Sequence, residues 1–150
     1  MNEAGEVAPG RVFVDFGCGK GRALLLAAEY PFRRIVGVEF FPQLVEIARK
    51  NLFSYRNPRQ VCPDLEVVLG DAALFPIPDA PLVLYFNDPF DGHVLERVVL
   101  NIRRSLDHHP RPITVIHRHS TATPELDSLW SRVTLLRKGK SLDTYSIYHS

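Results

Sequence analysis

The sequence predicts an α/β protein in which helices cover both faces of a doubly wound, mostly parallel sheet, giving three layers. Short apolar segments alternate along the 150-residue chain with longer segments whose apolar residues recur at helical spacing. Such alternation is typical of a parallel sheet, because two parallel strands must be joined by a crossover, which is usually a helix. Neither a repeat nor an interdomain linker interrupts this order. A single domain over residues 1–150 is therefore expected.

The predicted strands are short runs rich in β-branched and aromatic residues. The first, from Val12 to Phe16, and the fourth, from Leu82 to Asn87, are largely apolar, as central parallel strands should be. Strands are predicted at residues 12–16, 34–39, 65–69, 82–87, 112–117, 132–137 and 144–149.

Helices are predicted between these strands. The first covers Ala23 to Ala28, and the second begins at Pro42, since proline suits a first helical turn. The second helix is predicted to have an apolar face formed by Leu44, Ile47, Ala48, Leu52 and Tyr55. The third, over residues 91–106, is predicted to bury Leu95, Val98, Val99, Ile102 and Leu106. Residues 72–81 are not expected to form a full helix, because three prolines interrupt them.

A glycine-rich turn joins the first strand to the first helix, with glycines at positions 17, 19 and 21. Glycine adopts positive φ without steric cost and exposes bare backbone N–H groups to a ligand. The helix N-terminus adds partial positive charge at the same place. Arg22 stands where a dinucleotide fingerprint needs its third glycine, which disfavours a nucleotide-dependent oxidoreductase, and the Lys and Ser or Thr of a phosphate-binding P-loop are also absent.

Acidic residues follow the second and third strands. Glu39 lies about 20 residues beyond the turn, where an α/β nucleotide fold places the carboxylate that accepts hydrogen bonds from ribose hydroxyls. Asp71 could accept from an exocyclic amine while the N–H of Ala72 donates to the ring, which would recognise an adenine edge. The alternatives are a solvated charge for Glu39 and a turn-capping role for Asp71.

The pattern D-x-G-x-G-x-G from Asp15 to Gly21 resembles the first motif of class I S-adenosylmethionine-dependent methyltransferases. The resemblance extends from about residue 10 to the C-terminus and implies a Rossmann-like, seven-stranded sheet of order 3-2-1-4-5-7-6. It also implies an antiparallel C-terminal hairpin around Lys138-Gly139-Lys140-Ser141 and S-adenosyl-L-methionine as cofactor. The cofactor-binding residues it implies are Asp15, Gly17, Cys18, Gly19, Gly21, Glu39, Phe40, Asp71, Ala72 and Asn87.

The fourth strand ends in Asn87-Asp88-Pro89-Phe90, which looks like the N-P-P-Y/F loop of amino-group methyltransferases with Asp88 at the first proline position. The resemblance implies that Asn87, Pro89 and Phe90 are catalytic and orient the methyl acceptor. Such a loop offers oxygen acceptors for a target N–H and an aromatic ring for a planar group. A second alignment, which starts at Asp88 as D-P-F, remains open, and so does a simple turn that caps the next helix.

The segment His117-Arg118-His119 follows the fifth strand, at the edge where α/β folds place ligands. A histidine there could take a proton from a methylated group. The alternative is that these are polar residues at the end of a strand.

Composition excludes several other classes of function. The net charge of +1 gives no indication of a nucleic-acid surface, and no apolar run approaches the roughly 20 residues of a membrane span. The N-terminus lacks the apolar region of a signal peptide, so a cytoplasmic protein is expected. The two cysteines have no metal-ligand spacing, and no metal site is expected.

Only about ten residues precede the first predicted strand, so the N-terminal extension is minimal and little of the chain is expected to cover the cofactor. This favours either a substrate site open to a large partner or a fragment or assembly subunit. The predicted function is S-adenosylmethionine-dependent methyl transfer to an unidentified acceptor, with a nitrogen atom and a macromolecule as candidates. The alternative is a noncatalytic cofactor-binding module that regulates or scaffolds a partner. The sequence does not indicate the oligomeric state.

Overall fold

The computed structural model describes residues 8–88, 90–120, 124–142 and 144–150, and it contains one seven-stranded sheet of order β3-β2-β1-β4-β5-β7-β6. Strands β1 to β5 pair in parallel, whereas β7 runs antiparallel to both β5 and β6. This confirms the predicted strand order. The strands are β1 Val12–Phe16, β2 Arg34–Glu39, β3 Leu65–Leu69, β4 Leu82–Asn87, β5 Ile113–Arg118, β6 Arg137–Leu142 and β7 Tyr145–His149.

The helices lie on both faces of the sheet, as predicted. They are α1 Arg22–Ala27, α2 Pro42–Ser54, α3 Gly92–His108 and α4 Pro124–Ser131. Between β3 and β4 there is a single turn of 3₁₀ helix, Ala72–Leu74, in agreement with the expectation that no full helix forms there. Among the described residues, no helix is both long and apolar enough to cross a membrane.

The sheet separates two hydrophobic cores because successive side chains of a strand point to opposite faces. In β1, Phe13 packs with residues of α1 and α2, whereas Val14 and Phe16 pack with residues of α3 and α4. All five residues of β1 are buried, so this strand lies at the centre of the fold. Its C-terminal end is therefore held rigidly by packing on both sides.

Helix α3 follows its sequence pattern closely. The buried residues are the predicted ones: Leu95, Val98, Val99, Ile102 and Leu106. The helix begins after Asp91, whose side chain accepts a hydrogen bond of 3.0 Å from the N–H of Val94. This N-cap satisfies one of the free N–H groups of the first turn and fixes where the chain leaves the loop after β4.

Helix α2 begins at Pro42 as predicted, but its predicted apolar face is wrong in part. Val45 and Ala48 are the buried residues, whereas Ile47 and Tyr55 are 38% and 49% exposed. The helix contacts the sheet along a narrow stripe, because Ala48 lies 3.4 Å from the position that a Cβ on Gly21 would occupy. The close approach leaves the outer apolar residues of α2 in solvent.

The sixth strand and the hairpin differ from the prediction. Residues 132–136 form successive turns, in which the N–H of Val133 bonds to the carbonyl of Trp130 and the N–H of Leu136 to that of Val133. Val133 and Leu136 are apolar because they anchor these turns in the core, not because they belong to a strand. The segment predicted as the hairpin turn, residues 138–141, lies within β6 and contains its irregular pairing, and the hairpin closes after Leu142.

The turn after β1 depends on a glycine in the neighbouring strand. A Cβ on Gly37 of β2 would lie 2.6 Å from the Sγ of Cys18 and 2.7 Å from a methyl carbon of Leu24. The Cys18 side chain therefore occupies the space that a side chain at position 37 would fill. The buried thiol has its pKa raised to about 12 by desolvation and by the nearby acids Asp15 and Glu39, so it stays a neutral packing group.

We expect Gly37→Ala to lower the free energy of unfolding by about 1–3 kcal/mol, because the added methyl group overpacks the contact with Cys18. Urea denaturation of the variant and the parent measures this difference. The control is Gly92→Ala, because a Cβ on Gly92 would meet nothing within 4 Å. Equal stability of the Gly37 variant and the control would contradict this account of the turn.

Candidate active site

The carboxyl ends of the parallel strands border two cavities. The first cavity has a volume of about 540 Å³ and lies over the ends of β1, β2 and β3. It is lined by Gly17, Gly19, Val38, Glu39, Phe40, Phe41, Leu44, Gly70, Asp71, Ala72, Phe90, Val94 and Arg97. Open α/β sheets bind ligands in a cavity at the carboxyl ends of the strands, next to the point where the strand order reverses. In this sheet that point lies between β1 and β4.

Two backbone hydrogen bonds hold the glycine turn against β2. The N–H groups of Gly17 and Cys18 donate to the carbonyl of Val38, at 2.8 Å and 3.1 Å. Gly17 and Gly19 have φ values of 76° and 54°, a region that disfavours residues with a side chain. The turn thereby exposes the backbone of both glycines to the first cavity.

Glu39 joins the glycine turn to the loop after β2. One carboxylate oxygen accepts from the N–H of Gly19 at 2.9 Å, and the other accepts from the N–H of Phe41 at 3.0 Å. The residue is only 6% exposed and lines the first cavity. Its carboxylate is thus held in one orientation at the place where the sequence predicts a ribose site.

Asp15 lies beneath the turn and is almost fully buried, at 3% exposure. Its Oδ1 has no hydrogen-bond partner among the described residues. Desolvation, with a smaller contribution from Glu39, raises the pKa of Asp15 to about 7. A buried carboxyl oxygen without a partner is costly, so this site favours a cationic or hydrogen-bond-donating ligand.

Asp71 combines two interactions at the rim of the first cavity. Its Oδ1 caps the 3₁₀ turn by accepting from the N–H of Ala73 at 2.9 Å, which confirms the turn-capping alternative. Its Oδ2 lies 3.6 Å from a guanidinium nitrogen of Arg97 on α3. The capping role does not occupy the whole carboxylate, so recognition of an adenine edge stays a prediction.

Some predicted site residues do not line the first cavity. The side chain of Cys18 packs against Gly37, and Gly21 forms the N-cap of α1 next to Ala48. Asn87 is exposed at the end of β4, where it pairs with Arg118 of β5. Pro89 lies outside the described residues.

The second cavity, of about 620 Å³, lies beside the first at the ends of β4 and β5. Phe90 lines both cavities and so forms a common wall between them. The lining residues include Asp88, Phe90, Glu96, His117, His119, Ser120, Glu125, Leu129 and Arg132.

Asp88 anchors the loop after β4 to the end of β5. Its Oδ2 accepts from the N–H and the hydroxyl of Ser120, at 3.1 Å and 2.8 Å, and these bonds lower its pKa. Its own N–H donates to the carbonyl of Arg118 at 3.0 Å. The residue has a φ of 46°, which a non-glycine residue adopts only when its surroundings hold it there.

The two histidines of the second cavity are both buried. The Nδ1 of His117 accepts from the indole N–H of Trp130 at 3.2 Å, and the Nε2 of His119 lies 3.2 Å from the hydroxyl of Ser146. Desolvation, opposed by Asp88 and assisted by His119, lowers the pKa of His117 to about 4. His117 is therefore neutral at physiological pH.

Several lining residues carry no local signal in the sequence. Arg97 lies on the polar face of a helix, where a charged residue is expected without any site. Ser120 lines the second cavity, and Trp130 contacts His117 beneath it, only because β5 and α4 are folded against β4. Phe41 could have been inferred, because it directly follows Phe40 in a predicted ligand-binding loop.

Comparison with known proteins identifies the family of this chain. The family described as a methyltransferase domain matches residues 13–109, which is more than half of the chain. This chain belongs to the methyltransferase domain family. Membership confirms the resemblance that the motifs indicate, and it gives S-adenosyl-L-methionine as the cofactor.

Relatives of this methyltransferase domain include the ribosomal protein L11 methyltransferase of Burkholderia mallei, which is 40% identical over 67 residues. That match covers 40% of this chain but only 22% of the relative. The RNA methyltransferase of Salinibacter ruber, solved with S-adenosyl-L-homocysteine, has a TM-score of 0.59 at 24% identity, covering 98% of this chain and 84% of that one. A SAM-dependent methyltransferase from Aquifex aeolicus has a TM-score of 0.71 at 13% identity, covering 95% and 83%. These two structures share the fold.

The first cavity of the methyltransferase domain fits its cofactor. Asp15 does not line this cavity but lies beneath the glycine turn, where its unpartnered Oδ1 suits the ammonium group of the methionine part. Glu39 suits the ribose hydroxyls, since each of its oxygens retains a lone pair besides the one used by a backbone N–H. Both acids lie at or below the glycine turn, so the ammonium and ribose groups can be held at the same time.

We expect Asp15→Asn to change how the stability of the domain depends on pH. Because the folded-state pKa of Asp15 is raised from 3.8 to about 7, its contribution to stability is present below pH 4 and is lost as the pH rises through 7. The asparagine variant lacks this loss, so relative to the parent it gains stability between pH 4 and pH 8, by a few kcal/mol at most. Urea denaturation over this range measures the difference.

The control for this measurement is Asp107→Asn, because Asp107 is exposed on α3 and pairs only with Arg103 among the described residues. It measures what the removal of an exposed carboxylate does to stability over the same pH range. A difference between Asp15→Asn and the parent that does not change with pH would show that Asp15 does not titrate in the folded state as argued.

Proposed function

We propose that this domain transfers the methyl group of S-adenosyl-L-methionine, bound in the first cavity, to an acceptor bound in the second. The observation that carries the proposal is the position of Phe90, which lines both cavities. Because the two cavities meet at this side chain, a donor in the first and an acceptor in the second would be neighbours beside the ring at the end of β4. We also propose that residues 1–150 form one domain.

Residues that line the first cavity, together with Asp15 beneath the glycine turn, would each hold one part of the cofactor. We propose that Asp15 binds the ammonium group, that Glu39 binds the ribose and that Asp71 with Ala72 recognises adenine. The bound cofactor supplies an electrophilic methyl group on a sulfonium. Methyl transfer depends mainly on the alignment of acceptor, methyl carbon and sulfur, so rigid positioning by the chain lowers the barrier.

We propose a nitrogen atom as the methyl acceptor, oriented by Asn87, Pro89 and Phe90. The anchoring of Asp88 supports the alignment in which Asn87 opens the loop. The Oδ2 of Asp88 accepts two hydrogen bonds from Ser120, so this half of the carboxylate fixes the loop and only Oδ1 is left for an acceptor. Asn87 remains exposed at the strand end.

A macromolecular acceptor is supported by the similarity to ribosomal protein L11 methyltransferases. The chain spans only 22% of the length of these relatives, so their substrate is a proposal for this domain and not a finding. The same comparison leaves room for further parts of the protein that would help to bind the acceptor.

We expect Glu39→Ala to weaken the binding of S-adenosyl-L-homocysteine roughly tenfold to a hundredfold, because hydrogen bonds to a charged group contribute about 1.5–3 kcal/mol. Isothermal titration calorimetry measures the affinity. The control is Glu46→Ala, an exposed glutamate of α2 that pairs with Lys50 and does not line the first cavity. Unchanged binding by Glu39→Ala would remove this residue from the ribose site. No binding to the parent domain would contradict the cofactor assignment.

We expect Phe90→Ala and Asn87→Ala to lower methyl transfer at least tenfold, and by more than they weaken the binding of S-adenosyl-L-homocysteine, because these groups also align the acceptor in the transition state. Transfer of a tritiated methyl group to fractions of cell extract measures activity. Asp88→Asn should have a milder effect, since asparagine still offers an oxygen to Ser120.

Phe53→Ala is the matched control, because Phe53 is 81% exposed on α2 and lies outside the second cavity. Equal activity in all four variants would exclude the loop after β4 from the reaction. Tight cofactor binding without transfer to any fraction would favour the noncatalytic module.

A further inference from the structure

The second cavity contains a histidine whose tautomer is fixed by its neighbour. The indole N–H of Trp130 can only donate, and it points to the Nδ1 of His117 at 3.2 Å. That nitrogen must therefore present a lone pair. A neutral imidazole with no proton on Nδ1 carries its proton on Nε2, and both side chains are buried, at 2% and 0% exposure.

The Nε2 of His117 opens on the second cavity. His117 lines this cavity, and its Nε2 makes no hydrogen bond with the described residues. In the described part of the chain, Asp15 Oδ1 and His119 Nδ1 are the side-chain polar atoms that have neither solvent contact nor a hydrogen-bond partner. The Nε2 of His117 is not among them, so it retains some contact with solvent. The N–H of His117 is thus available to a molecule in the cavity.

The ring of His117 cannot easily turn. It stacks on Phe86, with ring centroids 5.3 Å apart and an angle of 16° between the planes. The indole of Trp130 stands against it at 75°, with centroids 6.1 Å apart. Rotation of the ring would break the Trp130 bond and leave a buried N–H group without a partner, so the direction of the free N–H is set in advance.

We propose that His117 is a fixed hydrogen-bond donor that selects amide-type methyl acceptors, in which a lone-pair atom stands beside the N–H to be methylated. This inference rests on the proposed function, because it assigns the second cavity to the acceptor. His117 is thus a specificity-determining residue. It is not the proton acceptor considered in the sequence analysis, since the nitrogen that faces the cavity already carries a proton.

The other groups in the cavity suit the same chemistry. Asp88 has a second oxygen, Oδ1, that makes no hydrogen bond with the described residues; it can accept from the N–H of an amide and would take the proton that the nitrogen loses on methylation. Phe90 offers an aromatic face to a planar group. A primary ammonium group has donors only, so it would leave the N–H of His117 unpaired in a buried place. Carboxylate acceptors would meet Asp88, Glu96 and Glu125.

The first test observes the tautomer directly in the intact domain. We expect ¹⁵N NMR of the imidazole to show His117 protonated on Nε2 and unprotonated on Nδ1 from pH 8 to pH 5, with no titration in this range. The titratable groups that act on His117 are Asp88 and His119, and desolvation outweighs both. Protonation on Nδ1, or titration of His117 near pH 6.5, would overturn the proposal.

The second test uses benzamide and benzylamine as probes of the cavity. We expect benzamide to shift the Nε2–H resonance of His117 and to bind at least tenfold more weakly to His117→Phe, whereas the control His109→Gln binds it as the parent does. His109 lies outside both cavities. Equal binding of benzamide to the parent and to His117→Phe, or a preference of the parent for benzylamine, would overturn the proposal.

A third variant covers the case in which His117→Phe fails to fold. Trp130→Phe removes the indole donor and keeps an aromatic ring, so we expect His117 to show a mixture of tautomers in place of one. A single, unchanged tautomer in this variant would contradict the role of Trp130. These measurements need no methyl transfer, so failure of the proposed function would appear in the cofactor and activity assays and leave the tautomer result standing.

Discussion

The cofactor end of the fold depends on the space that Gly37 leaves open. Because β2 has no side chain at this position, Cys18 can enter the strand surface and the glycine turn can lie directly on β2. The N–H groups of Gly17 and Cys18 then reach the carbonyl of Val38. That placement brings the N–H of Gly19 to Glu39, so one missing side chain sets the geometry of the turn and of the acid beside it.

The second cavity is built differently, from contacts between elements distant in sequence. The loop after β4 is tied to the end of β5 by Asp88 and Ser120, and Trp130 of α4 reaches back to His117. The first cavity relies on the backbone of one tight turn, whereas the second relies on side chains from three elements. The two cavities nevertheless share Phe90, so a change at this side chain affects both.

The parallel part of the fold could be predicted from sequence because its strands are buried. The range of β4, from Leu82 to Asn87, agrees with its prediction, and helix α3 buries the face that its spacing predicts. Strand β6 could not be predicted in this way. It lies at the edge of the sheet with all its residues exposed, so its sequence has no apolar pattern. The apolar residues Val133 and Leu136, which lie in turns before it, give the pattern that is interpreted as a strand.

The candidate site could likewise be predicted from the sequence only in part. Gly17, Glu39 and Asp71 follow the ends of predicted strands, and the order of strands in the sheet then brings them to one cavity. Arg97, Ser120 and Trp130 could not be assigned, since their positions depend on how helices and strands pack. The α2 face shows why apolar spacing alone is insufficient: the close approach of Ala48 to Gly21 decides which side of the helix is covered.

If Asp15 binds the ammonium group as proposed, its buried carboxyl would also tie cofactor binding to the uptake and release of protons. With a pKa of about 7, this group is partly protonated in the free domain at neutral pH. An ammonium group placed against it stabilises the carboxylate, so binding expels the proton that the free domain holds. The heat of binding would then vary with the ionisation enthalpy of the buffer, and the affinity would rise as the pH increases through neutrality.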